Sequence, residues 1–226
     1  EDQIPHPRVI TLNQDNMWLP AVDPLHRENV KRDGVGPGLS FGKHLAADDE
    51  TITVGLIPCA VAGSGLHRWE KGGDCYQNAI ERAKEGMKFG TLKGVIWHQG
   101  EWDGRQRKKA STYGLRLGDV IRDLRSDLKM PHLPVVVGKL GTFLRLNRVP
   151  YANYVNEGLE NIPQEIDYTE CVHTETLRRG DLDTFNAESA RELGLRYAKL
   201  MMDIHSRLAA ERRADKLAKI KRENDF

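Results

Sequence analysis

The sequence predicts an α/β domain whose sheet is mostly parallel and carries helices on both faces. Two observations support this prediction. Short apolar runs bounded by turn residues recur along the 226-residue chain, and longer segments with helical periodicity lie between them. Strands that alternate with helices form βαβ units, and these units place helices over both faces of a parallel sheet.

Five apolar runs are short and rich in valine and isoleucine, as strands are. They cover residues 8–12, 51–59, 94–97, 134–138 and 168–172. In a sheet of this kind, ligands bind outside the carboxyl ends of the strands. We therefore expect a functional site in the loops that directly follow these runs.

The strongest helical pattern covers residues 112–128, and a second begins after Asn186, a residue type that favours the helix N-cap. Weaker helical signals cover 38–47, 77–89 and 151–161. In the two strong patterns the apolar side chains share one face at a period of 3.6 residues. These residues are Tyr113, Leu117, Val120, Ile121, Leu124 and Leu128 in the first, and Ala190, Leu193, Tyr197, Leu200, Met201, Ile204 and Leu208 in the second.

The length suits one domain, which we place at residues 1–205, followed by a charged C-terminal helical extension at 206–226. Charge runs of this kind usually face water, so we expect a solvated helix there. Lysine and arginine (34) nearly balance aspartate and glutamate (33), which argues against a nucleic-acid or membrane-surface partner. No run approaches the roughly 18 apolar residues of a membrane span.

The cysteines and histidines do not suggest a metal centre or a cofactor. Cys59, Cys75 and Cys171 are odd in number and lack CxxC spacing, which argues against a disulfide framework and a structural zinc site. No HExxH motif or cluster of His and Asp ligands occurs. We therefore predict neither a metal nor a cofactor.

Two loops after predicted strands carry candidate chemistry. In AVAGSGLHRW (60–69), Gly63 can adopt a positive φ and turn a backbone N–H toward a bound oxygen, although an ordinary tight turn is also consistent. In WHQGEWDG (97–104), Gln99 could donate to an oxyanion and Glu101 could orient a histidine or a donor. His98 more often packs as a hydrogen-bonded histidine than acts as a base.

The segment RRGDLDTFNAESARELG (178–194) places Asp181 and Asp183 just before a long predicted helix. The helix dipole favours acidic residues there regardless of function. Ser64 is not part of a GxSxG motif, because residue 62 is alanine and residue 66 is leucine.

Together these stretches resemble one known family. Five ordered blocks are similar to the SGNH-hydrolase carbohydrate esterases of the sialate O-acetylesterase and acetylxylan esterase group, carbohydrate esterase family 6. The resemblance covers the chain to about Met202. The blocks are GVGPGLSFGKHLA (34–46), VGLIPCAVAGSGLHRWEKG (54–72), GVIWHQGEWDG (94–104), LRSDLKMPHLPVVVGKLG (124–141) and GDLDTFNAESARELGLRYA (180–198).

The resemblance implies a flavodoxin-like three-layer α/β/α sandwich that removes acetyl groups from sugars. It implies oxyanion donors at Gly63 and Gln99, a site carboxylate at Glu101 and the triad aspartate at Asp181. It gives an acetylated carbohydrate as the partner and an extracellular or periplasmic location, since relatives are often exported. Four further residues are candidates for substrate binding: Ser64, His98, Trp69 and Trp102.

Two departures from the family pattern bear on activity. No stretch similar to the GQSN nucleophile block occurs in the chain, so no nucleophile is identified and the sheet is expected to lack its first strand. Where relatives have Asp-x-x-His, Thr184 stands in the histidine's place, or the histidine is deleted beside it. His173 is the nearest histidine, but it precedes Asp181 by eight residues.

These departures leave three hypotheses open. The first is an acetylesterase domain with impaired activity, because serine needs a base to become nucleophilic. The second is a catalytically dead relative that binds glycans, with Trp69, Trp97 and Trp102 as possible stacking surfaces and core packing as the other interpretation of Trp97. The third is an oligomerising scaffold whose charged tail pairs with a partner.

Overall fold

A computed structural model describes residues 4–26, 34–146, 148–180 and 184–224. The domain contains six strands and six α-helices in these ranges, with short 3-10 turns at Leu66–Arg68, Asp103–Arg105 and Thr142–Leu146. The strands are β1 (Val9–Leu12), β2 (Trp18–Pro20), β3 (Val54–Leu56), β4 (Val95–Trp97), β5 (Val135–Gly138) and β6 (Thr169–Val172). The helices are α1 (Pro37–Asp48), α2 (Asp74–Gly86), α3 (Arg107–Ser111), α4 (Tyr113–Asp127), α5 (Ala152–Glu165) and α6 (Ala187–Asn224).

The strands form two three-stranded sheets rather than the single sheet that the sequence predicts. The first has the order β2-β1-β3, with β1 parallel to β3 and antiparallel to β2. The second has the order β4-β5-β6 and is entirely parallel. Because β1 pairs with β2 and β3, it does not connect β3 to β4, and no strand in the described ranges does so.

Helices cover both faces of the parallel sheet, as predicted. β5 is buried along its whole length, and its side chains alternate between two cores. Val135 and Val137 pack into the core formed with α2, α4 and α5, whereas Val136 packs into the core formed with α6. Such burial on both faces explains why this strand is a continuous valine run.

The two strong helical patterns form helices at the predicted places. The Asn186 side chain accepts a hydrogen bond from the Ser189 backbone N–H at 2.8 Å, which is the expected N-cap geometry at the start of α6. α6 continues beyond Leu208, which is 7% exposed, into a solvated charged end. No helix in the described part of the chain is both long and apolar enough to cross a membrane.

Candidate active site

Two loops at the carboxyl ends of β3 and β4 are joined by the side chain of Gln99. Its amide Nε2 donates to the Ser64 carbonyl oxygen at 2.9 Å and to Asp103 Oδ2 at 3.1 Å. Its Oε1 and the Gln99 backbone carbonyl oxygen each lie 2.7 Å from the Tyr113 hydroxyl and share its one proton as acceptors. Both amide hydrogens and the amide oxygen are therefore used, which fixes the orientation of the carboxamide.

A buried carboxylate, Asp103, lies at the centre of this junction and has no exposed surface (0%). Its Oδ2 accepts from the Leu66 backbone N–H at 2.8 Å as well as from Gln99, and its Oδ1 accepts from Arg116 Nη1 at 3.2 Å. Arg116 also donates from Nε to Glu70 Oε1 at 2.7 Å. Both oxygens of Asp103 accept hydrogen bonds from the protein, and the positive charge of Arg116 compensates the negative charge of the carboxylate.

Sequence reasoning did not single out Asp103, although it lies within the WHQGEWDG motif. One signal could have indicated it. Tyr113 and Arg116 are separated by three residues and so share a face of α4, and both contact the 98–103 loop. When a tyrosine and an arginine on one helix face contact the same loop, that loop is expected to contain a buried hydrogen-bond acceptor.

The loop after β3 turns sharply at Gly63. The Ser64 N–H donates to the Val61 carbonyl at 3.3 Å, and Gly63 occupies the third position of this turn with φ +69°. This left-handed conformation favours glycine, as the sequence predicted. Gly63 is exposed. The turn uses the N–H of Ser64 rather than that of Gly63.

Two of the proposed substrate-binding residues lie inside this loop. Ser64 is 6% exposed and Trp69 is 8% exposed, and the Trp69 indole N–H donates to Ser64 Oγ at 2.9 Å. The bond satisfies both polar groups internally. Trp97 is also buried (7%) and packs edge-on against Trp69 at 5.2 Å between ring centroids.

Trp102 is half-buried, and its ring already has neighbours. It packs over Gly65, and the ring of His67 lies 5.1 Å away between centroids at 47°. The Lys109 ammonium lies 3.7 Å from the Trp102 ring centroid, a cation–π contact. The Trp102 ring therefore packs between the loop that follows β3 and helix α3.

The proton position on His98 follows from its neighbours. The Tyr197 hydroxyl donates its one proton to the Trp97 carbonyl at 2.8 Å, so it accepts from His98 Nδ1, which lies 3.1 Å away. Nδ1 therefore carries the hydrogen and Nε2 keeps a lone pair. Burial lowers the pKa of His98, and the negative charge of Glu101 only partly opposes this. His98 is a neutral acceptor near pH 7.

Phe185, from the segment 178–194, lies at the same edge of the sheet as His98. The ring of Phe185 lies 5.6 Å from that of His98 between centroids, and the Gly180 N–H donates to the Thr184 carbonyl at 2.7 Å. Asp181 and Asp183, predicted from the sequence, lie outside the described residues.

The remaining candidates for acid–base or metal chemistry are accounted for by ordinary contacts. The side chain of His173 is 59% exposed, and its Nδ1 lies 3.5 Å from Glu175 Oε1. Cys59, Cys75 and Cys171 form no disulfide. Within the described ranges no group of three or more His, Cys, Asp or Glu side chains could hold a metal ion.

Comparison with known proteins identifies similar sequences and folds. The profile of a family described as carbohydrate esterase, sialic acid-specific acetylesterase, matches residues 1–203. A probable carbohydrate esterase of Arabidopsis thaliana is 34% identical over 137 residues, which is 58% of this chain and 53% of that protein. The chain thus spans about half the length of this curated relative.

Three solved structures are similar. An Arabidopsis thaliana protein superposes with a TM-score of 0.82 at 28% identity, covering 88% of this chain and 83% of its own. NanS gives 0.69 at 17% identity, with 90% and 89% coverage. A carbohydrate acetylesterase of Xanthomonas citri gives 0.64 at 16% identity, with 87% and 48% coverage. The last two share the fold, which agrees with the α/β/α sandwich expected from the sequence.

Proposed function

Because the chain belongs to the carbohydrate esterase family described as sialic acid-specific acetylesterase, we propose that it is a serine-type carbohydrate O-acetylesterase domain with impaired turnover. Its proposed substrate is an acetylated carbohydrate. One observation carries the proposal: Gln99 Nε2 donates to the Ser64 carbonyl at 2.9 Å and so joins the two loops that hold the proposed oxyanion donors.

The proposed donors are the backbone N–H of Gly63 and the amide of Gln99. Hydrogen-bond donors aimed at a developing oxyanion stabilise it. Tyr113 and Asp103 hold the Gln99 carboxamide in place from two sides. In the proposed reaction, the ester oxygen replaces the Ser64 carbonyl as the acceptor of one Gln99 hydrogen.

Three further residues complete the proposed site. His98 Nε2 accepts a hydrogen bond from a sugar hydroxyl, since Nδ1 is already bonded to Tyr197. Glu101 supplies a half-buried negative charge beside it. By resemblance, Asp181 is the triad aspartate. Phe185, four residues after Asp181 in the sequence, has its ring 5.6 Å from that of His98.

The proposed impairment follows from the chemistry of serine esterases. Serine attacks an ester only when a base removes its proton, and loss of either partner lowers the rate by several orders of magnitude. The 226 residues contain no GQSN-like stretch, and by resemblance Thr184 stands in the place of the family's histidine, or that histidine is deleted beside it. What remains at the site would stabilise a charge without generating the nucleophile.

The experiment measures acetate released from O-acetylated sialic acid, acetylxylan and p-nitrophenyl acetate. We expect the 226-residue chain to release acetate no faster than its Gln99→Ala variant. Release well above that variant would contradict the impairment while supporting the esterase function. If neither acetate release nor binding of any acetylated sugar is detected, the proposed substrate class is wrong.

A glycan-binding protein without turnover is the alternative, and the same samples test it. Saturable binding of an acetylated glycan that is lost in His98→Ala but unchanged in Gln99→Ala would favour it, because an acetylesterase site needs the Gln99 donor at the ester. The tryptophans do not favour it, since Trp69 and Trp97 are buried at 8% and 7% and Trp102 is covered by Lys109. We therefore retain the esterase domain as the proposed function.

A further inference from the structure

A cavity of about 450 Å³ lies at the opposite, amino-terminal edge of the parallel sheet. Its walls are the segments that enter β4 and β5 and the outer part of α6. The lining residues are Thr91, Leu92, Lys93, Lys129, Met130, Pro131, His132, Leu133, Pro134, His205, Leu208, Ala209 and Arg212. A cavity of this size falls in the range of small-molecule sites.

The polar part of this lining has one sign of charge. Lys93, Lys129 and Arg212 carry positive charges, two histidines also line the cavity, and none of the described lining residues is acidic. The nearby carboxylate of Glu211 accepts a hydrogen bond from the Tyr168 hydroxyl at 2.8 Å. Like charges around a concave surface raise the potential inside it, which favours an anion.

The remaining lining is apolar. Leu133 is 1% exposed and Leu208 is 7% exposed, and both belong to the packed interior. Leu92, Met130 and Pro131 are less buried and supply the apolar surface of the cavity. A fully hydrated inorganic ion would leave this surface wet, whereas an anion carried on an apolar body would cover it.

The cavity depends on a part of the chain that the family profile does not match. That match ends at residue 203, whereas His205, Leu208, Ala209 and Arg212 form the α6 wall. The first part of the charged extension therefore forms one wall of this cavity, and the rest of the extension is solvated. The proposed acetylesterase chemistry at the carboxyl edge uses none of these residues.

We propose that this basic cavity binds a small organic anion, a phosphate or carboxylate carried on an apolar body. Lys93, in the segment that enters β4, and Arg212, on α6, bind the anionic head, and the half-buried Leu92 and Met130 contact the body. Because all the groups belong to one chain, binding requires no second subunit.

The pKa of His205 should change when an anion occupies the cavity. Burial lowers its pKa, and the positive charges of Lys93 and Arg212 lower it further, while a hydrogen bond to the Lys93 backbone opposes them. An anion between these charges would offset their field and raise the pKa of His205. Lys129 and His132 also line this cavity, and the Glu211 carboxylate is bonded to Tyr168.

The test uses phenyl phosphate, benzoate and inorganic phosphate, measured by isothermal titration calorimetry at low salt and by NMR of the histidine rings. We expect saturable 1:1 binding of phenyl phosphate or benzoate, tighter than inorganic phosphate, with a rise in the pKa of His205. The better of the two organic anions identifies the head group. The Lys93→Ala/Arg212→Ala double variant should bind at least about tenfold more weakly.

Arg213→Ala is the matched control, because Arg213 is the next residue of α6, is exposed and does not line the cavity. Its affinity should equal that of the unmodified chain, and circular dichroism verifies that each variant is folded. Absence of saturable binding would overturn the proposal. So would an equal loss in Arg213→Ala, or an affinity for inorganic phosphate equal to that of both organic anions.

Discussion

Replacing Asp103 with asparagine tests whether the buried carboxylate holds the two loops together. The remaining amide oxygen can still accept from Leu66 and Gln99, but the new NH₂ group faces the Arg116 guanidinium, 3.2 Å from Oδ1 in the native protein. A hydrogen bond to a charged group contributes roughly 1.5–3 kcal/mol. Arg116 is 24% exposed and also pairs with Glu70, so the loss of stability is smaller than for a fully buried pair. We expect a destabilisation of about 2 kcal/mol.

Urea unfolding followed by circular dichroism measures this effect. With an m-value of about 2 kcal/mol/M, the midpoint should fall by about 1 M at unchanged m. Asp103→Ala removes all three acceptor interactions and should cost more, about 3–5 kcal/mol. Asp119→Asn is the matched control, since its side chain is 75% exposed and pairs only with Arg122 among the described ion pairs. A midpoint for Asp103→Asn equal to that of the control would refute the role of the buried charge.

Three other predictions concern packing, pH and thiol reactivity. A Cβ at Gly138 would overlap the Tyr197 hydroxyl, so Gly138→Ala should destabilise by about 1–3 kcal/mol, and Tyr197→Phe in the same chain should recover part of it in a double-mutant cycle. The hydrogen bond from Lys139 lowers the pKa of Glu175 to about 2. Its contribution to stability should therefore be complete above about pH 4.5 and be lost as the pH falls toward 2, a dependence absent in Glu175→Gln. Burial raises the pKa of Cys171 to about 12, so iodoacetamide at pH 8 should alkylate it far more slowly in the folded protein than in urea.

The helices α4 and α6 could be predicted because the residues that determine them are neighbours in the sequence. Apolar residues at a helical period located α4, and the Asn186 cap located the start of α6 within the sequence itself. β2 was missed because it has three residues, ends in proline and forms by pairing with β1. The division into two sheets was also missed, since pairing between strands depends on neighbours far apart in the chain.

The sequence predicted which loops would carry the proposed site, but not the hydrogen bonds inside them. The rule for strand ends gave the loops at Gly63 and Gln99, and the structure joins them. Whether a polar side chain faces a ligand or another loop depends on partners distant in sequence. Gln99 donates to the Ser64 carbonyl, 35 residues away, and Asp103 accepts from the Leu66 N–H, 37 residues away. Burial of the polar groups, rather than their presence, distinguishes the loop framework from the surface open to substrate.

The two proposed sites should act independently because the sheet separates them. Gln99 follows the carboxyl end of β4, whereas Lys93 precedes its amino end. A strand such as β5, with four residues, spans about 13 Å. Lys93 and Arg212 are exposed, and solvent-exposed charges farther apart than the Debye length of about 8 Å at physiological salt are largely screened from each other. Lys93→Ala/Arg212→Ala should therefore leave glycan binding and acetate release unchanged, measured with the carbohydrate substrates above. Altered release in that variant would show that the cavity regulates the acetylesterase site and would refute their independence.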